Sequence, residues 1–105
     1  MQRGEVWWAD LARPAGRRPV LLLSRDDAYA VRGFIIMSPL TTRGRGLRTE
    51  VNLGPEIGLP RSSVANLDVI ITEPKACLLE RIGSLSPNQL KAMDEAIHFA
   101  LGLEE

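Results

Sequence analysis

Six short β-prone runs, each cut off by glycine, proline or small polar residues, fill the first four-fifths of this chain, and one helical pattern follows them. Glu5–Leu11 is β-prone, with Val6, Trp7 and Trp8 in a row, and ends at the turn cluster Arg13-Pro14-Ala15-Gly16. Pro19–Ser24 is continuously apolar, which predicts a strand buried on both faces, and Phe34–Ser38 is a second such run, stopped by Pro39. Arg48–Leu53 alternates and halts at Gly54-Pro55, Ser63–Ile71 reads as one long strand, and Arg81–Leu85 as a short edge strand.

The terminal segment carries its own punctuation. Ser86 can cap a helix, Pro87 suits the first helical position, and Gln89 stands three residues after the cap, which together form a capping box. Leu90, Met93, Ile97, Ala100 and Leu101 then share one face, with Gly102 placed to end the helix. His98 falls on the opposite, polar face. Short strands joined by tight turns and closed by one helix predict a mainly β fold, a small, strongly bent antiparallel barrel with a C-terminal helix. The whole of residues 1–105 reads as one domain.

With a single cysteine, Cys77 in an apolar run, no internal disulfide and no multi-cysteine zinc site can form. No apolar run nears the ~20 residues that span a bilayer, and no signal peptide opens the chain, so the expected compartment is the cytoplasm. No metal or cofactor is expected. The formal net charge of zero hides two opposed halves. Residues 1–48 hold nine arginines against four acidic groups, whereas residues 49–105 hold four basic and nine acidic side chains. The arginines gather in two turn-like stretches, around Arg17-Arg18 and around Arg43-Gly44-Arg45. Guanidinium forks match phosphate oxygens bidentately, so converging arginine loops would make a phosphate site. Solvated loop charge is the alternative.

No Gly-rich loop with a lysine, nucleophile–histidine pair or close carboxylate pair is present. Metal-free chemistry on RNA remains open, since the 2′-OH of the substrate can attack the adjacent phosphorus if the protein aligns the groups and stabilises charge. Arg18, entering the second run, and Thr41 or Thr42, leaving the third, could supply the donors.

The order Arg3-Gly4-Glu5-Val6-Trp7-Trp8-Ala9-Asp10-Leu11, then Gly16-Arg17-Arg18-Pro19-Val20-Leu21-Leu22-Leu23-Ser24, resembles the opening of the MazF/PemK toxin family. Ser38-Pro39-Leu40-Thr41-Thr42, Gly58–Ala65, Arg81–Pro87 and Met93–Ala96 resemble later family segments in the same order, so the likeness covers nearly the whole chain. The resemblance implies a dimeric SH3-like barrel. It also implies a ribosome-independent endoribonuclease of a type II toxin–antitoxin pair, cutting single-stranded RNA at a short sequence and leaving a 2′,3′-cyclic phosphate and a 5′-OH. By the same resemblance Arg18 and Thr41 are the catalytic pair. Arg17, Ser38, Thr42, Arg43 and Arg45 are the expected RNA contacts, with a strand-end hydrogen bond as the alternative role of Ser38. A cognate antitoxin, with an acidic disordered tail, is the implied protein partner.

The chain departs from the family pattern in its first loop. Many relatives carry a longer glutamate-bearing loop before the arginine, whereas Leu11–Gly16 here runs almost directly into Arg17 and holds no glutamate. Two other readings stay open at this stage. A related toxin type keeps this barrel but poisons DNA gyrase through its C-terminal end, and SH3-like barrels also serve as binding adaptors. A pocket shared by Arg18 and Thr41 would separate the nuclease from both.

Overall fold

The computed structural model describes residues 1–104. Its strands are β1 (Glu5–Asp10), β2 (Arg17–Leu22), β3 (Phe34–Thr41), β4 (Glu50–Leu53), β5 (Ser63–Asn66), β6 (Ile71–Pro74) and β7 (Leu78–Ser84), with helices α1 (Ala28–Val31) and α2 (Pro87–Ala100). All pairings are antiparallel, in the order β4-β5-β3-β2-β1-β7, with β6 also paired to β3.

β3 is the spine. One of its edges carries β2, while the other carries β6 along Phe34–Met37 and β5 along Leu40–Thr41. The sequence predicts that Pro39 ends this strand, yet the strand runs through it to Thr41. The reason lies in the hydrogen-bond alternation. The Ile36 carbonyl accepts from Leu23 N–H on the β2 side, so the odd-numbered residues of β3 address the other edge. Pro39 therefore aims its missing donor at the gap between β6 and β5, where no partner is left unsatisfied.

That gap also divides the long strand predicted over 63–71. It breaks at Asn66, whose carbonyl accepts from Val69 N–H at 2.9 Å while its side-chain Oδ1 accepts from Asp68 N–H at 3.0 Å. An Asx turn has overridden a β-prone run. The Thr49 hydroxyl donates to the same Oδ1 at 2.8 Å and pins the turn.

Alternation along β2 sends Leu21 and Leu23 to one core and Val20 and Leu22 to another, as expected of a strand buried on both faces. The larger core joins Val6, Leu21, Val51, Leu53 and Leu85 to Met93 and Ala96 of α2. The capping box at Ser86 and Gln89 forms as predicted, and Gly102 follows the helix at φ +70°. Leu101 departs from expectation. It lies past the last helical turn and is 58% exposed. The smaller core holds Ala9, Leu11, Val20, Leu22, Ile35 and Met37, closed by Tyr29 of α1, a one-turn helix the sequence pattern does not reveal. Tyr29 donates its hydroxyl to the Ser24 carbonyl at 3.0 Å, and burial pushes its phenol up to about 12. Trp7 and Cys77 are half-buried against this core, and burial, aided by the Glu73 charge, raises the Cys77 thiol.

The Pro55–Ile57 turn crosses β7 with no room to spare. A Cβ at Gly83 would overlap the Ile57 carbonyl oxygen, and Gly58, at φ +103°, reverses the chain there. Backbone contact of this kind admits only glycine.

Candidate active site

At one end the smaller core opens to solvent, and two polar side chains stand at that opening. β2 and β3 pair with Val20 opposite Pro39; two residues further the same register sets Arg18 opposite Thr41. Arg18 follows the alternation of Val20 and Leu22, and Thr41 that of Met37 and Ile35, so both emerge on the smaller core's face. They line a common cavity of about 460 Å³ together with Arg43 and Arg45. A second hollow on the same rim joins Arg18 and Thr41 to Thr42. The two residues, 23 positions apart in the chain, are brought together by strand register.

Both side chains are half-buried and only partly engaged. Arg18 donates from Nε to the Ala15 carbonyl at 3.1 Å, which anchors the stem, and among the described residues its terminal nitrogens have no acceptor. The Thr41 hydroxyl accepts from Arg43 N–H at 3.1 Å and so keeps its own proton free to donate. A fixed guanidinium fork and an oriented hydroxyl facing one space can stabilise charge building on a phosphate.

The arginine loop is shaped by a residue the sequence reading passes over. The Glu50 carboxylate accepts from Arg45 N–H at 3.0 Å and Leu47 N–H at 3.1 Å. Desolvation works to raise its pKa, but the N–H groups of Arg45, Leu47 and Gly46 outweigh that and hold it below the usual carboxylate range. Because Glu50 takes backbone donors, the guanidinium groups of Arg43 and Arg45 are in no ion pair among the described residues. Arg61 lines a neighbouring hollow with Thr41 and Thr42 and adds a further cation there.

Two expected RNA contacts lie elsewhere. Ser38 is fully buried and donates to the Asn66 carbonyl at 3.2 Å, closing the notch between β5 and β6. This corrects its assignment as an RNA contact, because its hydroxyl cannot reach a ligand. Arg17 alternates to the opposite face of β2 from Arg18, where its guanidinium stands 5.5 Å from the centre of the Trp8 ring. It is absent from the Arg18–Thr41 cavity. Thr42, Arg43 and Arg45 are exposed around the rim. Asn66 and Glu73, unmarked in the sequence reading, line the cavity as well. Their distance in sequence from Arg18 conceals them. Among the described residues no three His, Cys, Asp or Glu side chains gather as a metal site, and no helix is long and apolar enough to cross a membrane.

Comparison with known proteins identifies the family. The sequence profile of PemK-like, MazF-like toxins of type II toxin–antitoxin systems matches residues 2–101. The chain is 41% identical over 100 residues to the probable endoribonuclease MazF5 of Mycobacterium tuberculosis, covering 94% of this chain and 91% of that protein. It superposes on the Mycobacterium tuberculosis toxin MazF-mt6 with a TM-score of 0.88 at 35% identity, over 96% of this chain and 99% of the other. A mycobacterial endoribonuclease solved in complex with its cognate antitoxin matches with a TM-score of 0.87 at 30% identity, over 100% of this chain and 98% of the other. By sequence along nearly its whole length and by fold, the chain belongs to the PemK-like, MazF-like toxin family of type II toxin–antitoxin systems.

Proposed function

We propose that this toxin is a sequence-specific endoribonuclease that cuts single-stranded RNA without a metal ion, using the 2′-OH of the substrate as nucleophile. The observation that carries the reading is the shared cavity of Arg18 and Thr41, each with free donors, inside a rim of unpaired arginines. In the reaction the 2′-oxygen forms a bond to the adjacent phosphorus and the P–O5′ bond breaks. The 2′-proton passes to solvent, and the departing O5′ takes a proton to become the 5′-OH. The products are a 2′,3′-cyclic phosphate and a free 5′ end. Arg18 donates two N–H groups to the non-bridging oxygens as the phosphorane forms. Guanidinium, with a pKa above ~12, acts here by charge and geometry and keeps its proton. Thr41 donates its hydroxyl proton to the same oxygens, and both donors are fixed before the charge develops. Arg43 and Arg45 hold the flanking phosphates.

The protein acts in the cytoplasm, works as a homodimer and is neutralised by a cognate antitoxin. In support of that partner, the similar mycobacterial endoribonuclease was solved with its own. The gyrase-poisoning alternative has no use for the paired Arg18 and Thr41 and is not favoured.

The test is incubation of wild type, Arg18→Ala and Thr41→Ala with a long single-stranded RNA in excess EDTA, followed by analysis of fragment ends. Discrete cuts by wild type alone, with cyclic-phosphate and 5′-OH termini, are expected. Intact RNA with folded, antitoxin-free wild type, or full activity in Arg18→Ala, overturns the reading.

A further inference from the structure

The cavity under Arg18 extends well past anything a phosphate needs. Below its cationic rim the walls are apolar, formed by Leu11, Ala15, Val69 and Ile71. Beside Glu50, whose carboxylate is taken up by the N–H groups of Arg45 and Leu47, the polar groups Asn66 and Glu73 interrupt them. The amide of Asn66 is locked in one orientation. Its Oδ1 accepts from the backbone N–H of Asp68, an obligatory donor, and from Thr49, so Nδ2 carries both amide protons. Among the described residues Nδ2 makes no hydrogen bond, yet no buried side-chain polar atom lacks a partner, so this NH2 reaches solvent. Glu73 is opposite Ile35 in the β6–β3 register, on the face of the smaller core. By extension of the β5–β3 register Asn66 stands opposite Pro39. Four strand residues, roughly 13 Å along β3, separate the two levels. Two side chains and a purine ring fill that span.

We propose that this stretch of the cavity is a guanine subsite, one or two nucleotides from the cut, and that Asn66 and Glu73 set the sequence preference; the proposal rests on the nuclease reading above. An ionised carboxylate only accepts, and it accepts twice. Guanine alone among the four bases offers it two adjacent donors, N1–H and the N2 amino group. The same base presents O6 and N7 as acceptors to the Asn66 amide. Adenine and cytosine bring one amino group and uracil one ring N–H, so each leaves a carboxylate oxygen unpaired inside apolar walls. A site built to hydrogen-bond such groups rejects ligands that lack them. The apolar walls take the faces of the ring.

The experiment titrates the four 3′-mononucleotides into the full-length wild type, Glu73→Gln and Asn66→Asp, followed by NMR, and maps the cut sites of the same proteins on mixed-sequence RNA. Asn66→Asp keeps the oxygen that holds the turn, removes the amide donors and adds a negative charge, and its unfolding midpoint is read beside wild type. Wild type is expected to bind 3′-GMP at least tenfold more tightly than the other three. Both variants are expected to lose that margin, and guanine is expected within two nucleotides of wild-type cuts. Equal affinities in wild type, or an unchanged margin in Glu73→Gln, overturn the subsite. RNA cut without nearby guanine overturns the subsite and leaves the nuclease standing. Selective 3′-GMP binding by a wild type that cuts no RNA overturns the nuclease and leaves the subsite standing.

Discussion

Arg18 and Thr41 line one cavity from neighbouring strands, each tied by one hydrogen bond to its own loop and each with protons to spare. Replacing Arg18 by lysine keeps the charge but removes the planar fork. We expect cleavage to fall about 100-fold or more, in the range that loss of a preorganised donor costs, while RNA affinity and its salt dependence stay near wild type. Single-turnover rates and filter binding on Arg18→Lys separate the two effects, and an unchanged rate would refute the bidentate role.

The rim arginines should behave differently. Arg43→Gln and Arg45→Gln each remove a phosphate contact without touching the reacting groups. Each is expected to flatten the slope of log affinity against log salt by about 0.7, with little change in the rate of bound substrate. A slope that does not move places that arginine off the RNA path.

Ser38 belongs to the frame of the sheet. Ser38→Ala deletes the hydrogen bond to the Asn66 carbonyl, which keeps its second donor from Val69. The expected loss is about 1 kcal/mol of stability in urea unfolding, with cleavage within twofold of wild type. A large drop in cleavage at unchanged stability would restore Ser38 to the RNA-contacting set.

Gly83 is expected to tolerate no side chain. An added Cβ meets the Ile57 carbonyl, so either β7 or the Pro55–Ile57 turn must move. Gly83→Ala should cost about 2–3 kcal/mol. Near-wild-type unfolding midpoints would show that the crossing is looser than described.

Tyr29 is the only tyrosine, so phenolate absorbance reports it alone. Its pKa is raised to about 12, chiefly by burial, against 10.0 in the open chain. A raised folded-state value means this contribution is complete below pH 10 and is lost as pH rises through 12, to the extent of roughly 2–3 kcal/mol. Titration at 295 nm should give a midpoint near 12 in the native protein and near 10 in denaturant, and the alkaline loss of stability should shrink in Tyr29→Phe.

Much of the fold is legible where the signal is local. The capping box at Ser86 needs only the next three residues to be recognised, and the doubly buried β2 needs only its unbroken apolar run. Pro39 misleads because a proline ends a strand only where its missing N–H faces a partner, and that depends on β5 and β6, far along the chain. The break after Asn66 was written in Asn66 and Asp68, but the surrounding valines and isoleucines carried the stronger pattern. Within the site, Arg18, Thr41 and the Arg43–Arg45 loop are marked by type and by resemblance. Asn66, Glu50 and Glu73 are not, because only the register of three strands brings them beside Arg18.

β3 belongs at once to the pairings with β2, β5 and β6, and this shapes how the molecule must be made. No consecutive hairpin holds the cavity, since its residues come from both sides of the chain's midpoint and meet only across that one strand. A ribosome that has released two-thirds of the chain has produced no Glu73 and no β6 or β7. Folding dominated by such distant pairings is slow, on the millisecond-to-second scale, and close to all-or-none. A nascent copy therefore has no assembled cavity until the last strands emerge, which leaves an interval during synthesis in which a waiting partner can meet it.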